Sequence, residues 1–237
     1  MMLLRNGCAT LAALFLIAAA PRVSAALVYD LRLVGGGKSI DVQRFDVVEL
    51  ELYAVVTGTD GVINEGYQNG YGSIVSTGSS ISGGLTGALA DLFRGTQSQS
   101  GTQADLDGDG DLDIGSNSPA SNSDFIFFRA NSMVTVAGTT IPNGREFKVA
   151  TFSFSVDSIA TFGGQPVMIN FVVPVFDSNP PEALWAEDGR GRDANSDPTA
   201  QPTVGLPVLV YAVPEPAVPS MVAIGCLAAA GRRRRRC

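Results

Sequence analysis

The chain has 237 residues, enough for one β-sandwich or two small domains with a real core. Its formal net charge of −7 conceals a larger imbalance: seven of the 16 basic residues lie in the two end segments, so the body, 26–213, sets nine against 22 acids, about −13. That charge excludes nucleic acid as a partner, and the absence of histidine, with all three cysteines (Cys8, Cys226, Cys237) near the ends, excludes disulfides, Cys/His zinc sites and imidazole-based catalysis from the body.

Residues 1–25 read as a signal peptide. Arg5 precedes an apolar stretch from Leu11 to Ala20, Pro21 ends it, and Val23-Ser24-Ala25 supplies small residues before a cut ahead of Ala26. The apolar stretch has about half the length a membrane-spanning helix needs. Residues 26–212 then read as one all-β domain, an antiparallel β-sandwich of the jelly-roll type. Period-two alternation carries this reading. Leu27, Tyr29, Leu31 and Leu33 form one inward row, and Val48, Leu50, Leu52, Ala54 and Val56 a second. A third holds Ala150, Phe152, Phe154 and Val156, and a fourth Val167, Ile169, Phe171, Val173 and Val175. Phe125–Phe128 and Met133–Val136 are shorter runs, and Asn143-Gly144 is a candidate hairpin turn between Val134–Val136 and Phe147–Val156. Leu85, Leu89, Leu92 and Phe93 have helical spacing and predict a short helix. Val204–Val213, interrupted by Pro207, predicts a last strand at an edge.

The segment 105–116, Asp-Leu-Asp-Gly-Asp-Gly-Asp-Leu-Asp-Ile-Gly-Ser, concentrates the chemistry. Asp105, Asp107, Asp109, Asp111 and Asp113 place a carboxylate at every second position, which cannot pack closely without a counter-cation. Ca2+, a hard ion taking six to eight oxygens, suits that donor set. The loop resembles the EF-hand and dockerin calcium loop. That resemblance makes Asp105, Asp107 and Asp109 the first, third and fifth ligands and Gly110 the sharp-turn glycine. Asp111 becomes the backbone-carbonyl position, Leu112 the buried aliphatic and Asp113 the ninth position. Ser116 stands where the family has a bidentate acid, which leaves Asp124 or a carbonyl to close the shell. A second charged stretch, Glu187–Asp197, lacks the alternate-aspartate spacing and reads as a solvated loop, with a second cation site as the alternative.

Val42–Leu50 (V-x-x-x-D-x-V-E-L) and Phe147–Val156 (F-x-V-A-T-F-x-F-x-V) are similar to paired strands of the cohesin and carbohydrate-binding-module sandwich. Residues 213–237 resemble the PEP-CTERM sorting signal of bacterial proteins processed by exosortases. Pro214-Glu215-Pro216 is followed by a short apolar run from Ala217 to Gly231 and by Arg232, Arg233, Arg234, Arg235 and Arg236. The resemblance implies transient anchoring in the membrane through the C-terminal helix, cleavage by an exosortase-type enzyme, and delivery to the cell surface or an exopolysaccharide matrix. The expected function is therefore non-catalytic: a Ca2+-stiffened sandwich for adhesion or matrix organisation, with extracellular polysaccharide or surface proteins as partners. A carbohydrate-binding module is the alternative, with Trp185, Tyr67 and Tyr71 as candidate sugar-stacking rings. A glycoside-acting enzyme with a carboxylate pair is a third reading, though nothing in the sequence selects a pair.

Overall fold

The structure is a computed structural model that describes residues 26–118, 124–174, 183–197 and 199–214. The expected signal peptide, and the sorting motif from Glu215 through the arginines, lie outside the described residues. Among those described, no helix is long and apolar enough to cross a membrane.

In chain order the strands are β1 (Ala26–Leu33), β2 (Ser39–Val42), β3 (Val47–Thr57), β4 (Gly66–Thr77), β5 (Ile81–Leu89), β6 (Gln99–Ser100), β7 (Gln103–Ala104) and β8 (Asp113–Ile114). They continue with β9 (Ile126–Val134), β10 (Thr139–Ile141), β11 (Gly144–Ile159), β12 (Val167–Val172), β13 (Ala183–Glu187), β14 (Arg190–Asp193), β15 (Thr203–Val204) and β16 (Val208–Ala212). One sheet runs β10-β11-β3-β1-β15, with β5 also on β11. The other runs β14-β13-β4-β12-β16-β2, and β8 and β9 also bond to β4. Pairing is antiparallel except at β1–β15 and β16–β2, so the all-β sandwich expected from the alternation is what the chain forms.

The alternation sets which face goes inward. Leu27, Tyr29, Leu31 and Leu33 of β1 and Val48, Leu50, Leu52, Ala54 and Val56 of β3 are all buried, each larger side chain contributing about 1.5–3 kcal/mol of transfer free energy. Between the sheets Tyr29 meets Phe171 edge-on with centroids 4.8 Å apart and Phe128 at 5.6 Å. Its hydroxyl shares a 3.0 Å hydrogen bond with that of Tyr67. Burial raises the pKa of both phenols, so they stay neutral. Outward positions carry cross-strand polar pairs such as Lys148 with Glu51 at 3.1 Å. Such exposed pairs add at most about 1 kcal/mol each.

Several expectations need correction. The helix expected over Leu85–Phe93 is instead strand β5 followed by a 3-10 turn, Asp91–Phe93. Gly83 and Gly87 are the reason. A Cβ on Gly83 would collide with the Ser155 carbonyl oxygen, and one on Gly87 with the Phe152 ring, so these glycines let β5 lie tightly against β11. The run Val42–Leu50 is two strands in opposite sheets, β2 and β3, joined by a turn in which Phe45 has φ 72°. The predicted last strand is also two: β15 lies beside β1, the chain crosses at Pro207, and β16 sits between β12 and β2 instead of at an edge. The hairpin closes through Pro142-Asn143, Asn143 supplying the positive φ of 59°, and its partner strand is β10. Ile126–Phe128 and Met133-Val134 are the two ends of one strand, β9, with Phe125 before it and Thr135-Val136 after it.

The described chain enters at one end of the sandwich and leaves from the other. Ala26 pairs with Thr57 at the C-terminal end of β3, whereas the Val213 amide donates to the Val42 carbonyl, beside the turn into the start of β3.

Gly83 and its neighbour Gly84 give a paired test of the β5–β11 packing. A Cβ on Gly84 meets nothing nearer than Leu112 Cβ at 3.6 Å. In urea denaturation, Gly83→Ala is expected to lose about 1–3 kcal/mol, and Gly84→Ala to stay within about 0.5 kcal/mol of the parent. Equal losses would contradict this packing.

Candidate metal centre

The aspartate segment is a loop between β7 and β8, laid across the crossover from β4 to β5. Gly108 (φ 84°) and Gly110 (φ 100°) take conformations that a side chain disfavours and turn the chain back on itself. The turn is held by its own carboxylates. Asp105 accepts from the amides of Gly108 (2.7 Å) and Gly110 (3.2 Å), and Asp107 accepts from the Asp109 amide at 3.3 Å.

Two contacts tie the loop to the end of β4. Asp109 Oδ2 accepts from the Gly78 amide at 2.8 Å. Asp113, fully buried, accepts from the Ser76 amide (2.7 Å) and hydroxyl (3.0 Å) through Oδ1 and from the Leu106 amide (2.9 Å) through Oδ2. A third contact reaches the other sheet: the Leu112 amide donates to the Gly83 carbonyl at 3.0 Å, and its own carbonyl accepts from Leu85 N at 2.7 Å. The loop therefore fastens β4 and β5, strands of opposite sheets, to each other.

All five predicted aspartates converge, in two overlapping groups. Oxygens of Asp105, Asp107 and Asp113 lie within 4.8 Å of one another, as do those of Asp107, Asp109 and Asp111, so Asp107 is common to both. A Ca2+ ion with oxygens at about 2.3–2.6 Å spans a shell of similar width. Asp111 is the unusual member. It is 1 % exposed, and both its carboxylate oxygens are buried without a hydrogen-bond partner. An unpaired buried carboxylate costs several kcal/mol. Its pKa is correspondingly pushed up to about 8 by burial, then by the Asp109 carboxyl beside it and the charges of Asp109 and Asp113, against a smaller downward pull from Ser76. Burial also acts on Asp109, but Asp111 and the Gly78 amide outweigh it and lower that pKa. Burial raises that of Asp113 despite its three donors. Without a cation, a proton on Asp111 removes the charge that is buried most deeply without a partner.

The geometry departs from the EF-hand correspondence in three places. Asp111, expected to offer its backbone carbonyl, turns its side chain inward. Leu112, expected to be buried, is 44 % exposed, and Ile114 is buried instead. Asp124, offered to close the shell, is in neither oxygen group and accepts from the Thr102 hydroxyl at 3.2 Å.

The ring platform expected for sugar binding is absent where it was sought. Trp185 is 1 % exposed and donates from Nε1 to Glu187 Oε2 at 3.1 Å, Tyr67 is fully buried, and Tyr71 is half-buried with the Phe125 ring 5.5 Å away. The stretch Glu187–Asp197 is not a plain solvated loop. It closes the hairpin β13–β14, with Asp188 at the tip in a left-handed conformation (φ 50°), and sequence reading missed what that tip faces. Asp188 meets Asp60 and Glu65 from the β3–β4 crossover, with oxygens of all three within 4.8 Å. No spacing rule connects residues so far apart in sequence.

No family model matches the chain, and no curated protein matches it. Among solved structures it is similar to a type II cohesin domain from the cellulosome of Acetivibrio cellulolyticus, at 12 % identity over 78 % of this chain and 95 % of that one, with a TM-score of 0.36. It is also similar to a chain of a type I cohesin–dockerin complex from Clostridium thermocellum, at 12 % identity over 80 % and 97 %, TM-score 0.36. A third likeness is to a cohesin module of a family 33 glycoside hydrolase from Clostridium perfringens, at 11 % identity over 80 % and 99 %, TM-score 0.28. The sandwich assignment rests on strand pairing and burial, not on these likenesses.

The raised Asp111 pKa fixes a pH dependence for the metal-free protein. The unfolded chain releases this proton near 3.8 and the folded chain holds it to about 8, so the folded state binds more protons in between and its stability falls as pH rises through that window. In excess chelator, urea denaturation at pH 5, 6.5 and 8 is expected to show this decline, and Asp111→Asn to flatten it. A decline unchanged by the substitution would contradict the assignment.

Proposed function

We propose that this chain is an exported, non-catalytic surface or matrix protein whose β-sandwich is stiffened by Ca2+ in the Asp105–Asp113 loop. The observation that carries the proposal is Asp111: a fully buried carboxylate with two unpartnered oxygens, inside a loop that fastens one sheet to the other. Asp105, Asp107, Asp109, Asp111 and Asp113 offer only oxygen donors, which suits a hard divalent cation rather than zinc. Bound there, the ion would offset part of the cluster's negative charge and lock the β4–β5 crossover. The affinity expected is about 10⁻⁴ to 10⁻³ M, usual for extracellular modules. The absence of histidine and of body cysteines supports a binding role over a catalytic one.

Export and sorting rest on the two end segments. The leader 1–25 supports secretion. Pro214-Glu215-Pro216, the short apolar run and Arg232–Arg236 support a membrane-held intermediate, with the acidic body outside, that an exosortase-type enzyme releases. The partner best matched to that destination is extracellular polysaccharide or another surface protein. The burial of Trp185 and Tyr67 removes the stacking platform on which a dedicated carbohydrate-binding module would depend.

Thermal unfolding of the full-length protein tests the Ca2+ reading. Saturation at about 100 times Kd adds about 2.7 kcal/mol, a rise in Tm of about 5–10 °C for a domain of this size. Asp111→Asn should lose most of that rise; no difference between Ca2+ and chelator would sink the proposal. Pull-down on the producing cell's own exopolysaccharide, with Ca2+ and then with chelator, tests the role, and binding that the chelator abolishes is the expected result. Replacing Pro214, Glu215 and Pro216 with alanine should leave the chain uncleaved in the membrane fraction. Release at the parent rate would exclude exosortase-type processing.

A further inference from the structure

We infer that the protein has a second divalent-cation site, formed by Asp60, Glu65 and Asp188 at the opposite end of β4 from the aspartate loop. The three residues come from two distant parts of the chain. Asp60 and Glu65 lie in the crossover that carries the chain from β3 in one sheet to β4 in the other, and Asp188 lies at the tip of the β13–β14 hairpin. Each offers an oxygen within 4.8 Å of the other two.

Acidic residues often crowd a surface without consequence, but Glu65 is not on the surface. It is 1 % exposed, and both its carboxylate oxygens are buried with no hydrogen-bond partner. None of the ion pairs among the described residues involves Asp60, Glu65 or Asp188. Leaving a carboxylate buried, unpaired and beside two others costs several kcal/mol. A cation in the gap between them would remove that cost.

The gap itself is preserved by a glycine. A Cβ on Gly58 would collide with both Glu65 Oε1 and Asp188 Oδ1, so the two oxygens converge over a backbone that carries no side chain. Asp188 is locked in its orientation. It accepts from the Thr59 amide at 2.5 Å, the Thr59 hydroxyl at 2.7 Å and the Asp60 amide at 3.1 Å. Beside Glu65, the Oδ1 of Asn64 is a further buried oxygen without a partner. Every donor is oxygen, and their mutual approach to within 4.8 Å fits inside the coordination shell of a hard cation. The ligand class is therefore a hard divalent cation, and Ca2+, which accepts irregular oxygen shells, is the ion to test. The ion would staple the β3–β4 crossover to the β13–β14 hairpin, as the aspartate loop staples the β4–β5 crossover at the other end.

Native mass spectrometry of the full-length protein equilibrated with Ca2+ alone tests this directly. The parent chain should carry two ions, Glu65→Gln one, Asp111→Asn one, and the double variant none. Asp60→Asn changes an exposed ligand and keeps the test valid if Glu65→Gln fails to fold; it too should carry one ion, or bind the second at least tenfold more weakly. If Glu65→Gln and Asp60→Asn both retain the parent stoichiometry while Asp111→Asn loses an ion, the second site is wrong and the aspartate-loop reading stands. If only Asp111→Asn retains the parent stoichiometry, the aspartate loop is wrong and this site stands.

Discussion

The two sheets can close on each other only because Tyr29 finds room over Gly70. The ring reaches from β1 across the core, and a Cβ on Gly70 would collide with the hydroxyls of both Tyr29 and Tyr67. Gly72, two residues on, likewise makes room for the Phe171 ring. The strand that provides these gaps, β4, is also the one to which β8, β9, β12 and β13 bond. Its neighbours inherit their position from the aromatic cluster above it, and so do the two crossovers at its ends.

Both acidic clusters lie at those crossovers. Glu65 immediately precedes β4, and Ser76 and Gly78, which hold Asp113 and Asp109, mark its far end. With 12 residues in the strand, at about 3.3 Å each, the clusters stand about 40 Å apart. Crossovers are where ladder hydrogen bonding between strands stops, so the chain there must be fixed by other means. Disulfides cannot do this, because the chain has no cysteine between 26 and 213. At the far end of β4 the fixing is done by hydrogen bonds to Asp109 and Asp113.

The alternation of β1, β3, β11 and β12 was legible because period two is a property of neighbouring residues; burial follows it along β1, β3 and β12 and from Ala150 to Val156 of β11, past the irregularity at Val149-Ala150. The five aspartates were legible for the same reason: they are close in sequence as well as in space. What the sequence hid was non-local. Leu85 and Leu89 have helical spacing, yet Gly83 and Gly87 between β5 and the Phe152 and Phe154 rings make a strand the better packed choice. Pro207 marked a break in the last strand, but whether the chain stays in one sheet or changes sheets depends on partners 170 residues earlier. Asp188 was read as a solvated charge because Glu65, the residue that gives it significance, lies in another element. Trp185 offered a binding ring until the fold buried it in the core, on β13 opposite Tyr67 of β4.

The placement of Ala26 and Val213 at opposite ends of β3 has a mechanical consequence. The strand spans 11 residues, about 35 Å at 3.3 Å per residue. Tension applied between the two ends of the domain runs parallel to its strands. Hydrogen bonds along β1–β3 and β2–β16 then resist as a group in shear, rather than opening one after another as they would if both ends left from the same edge. A body built this way is suited to holding a load between whatever is fixed at its front and whatever is fixed at its tail.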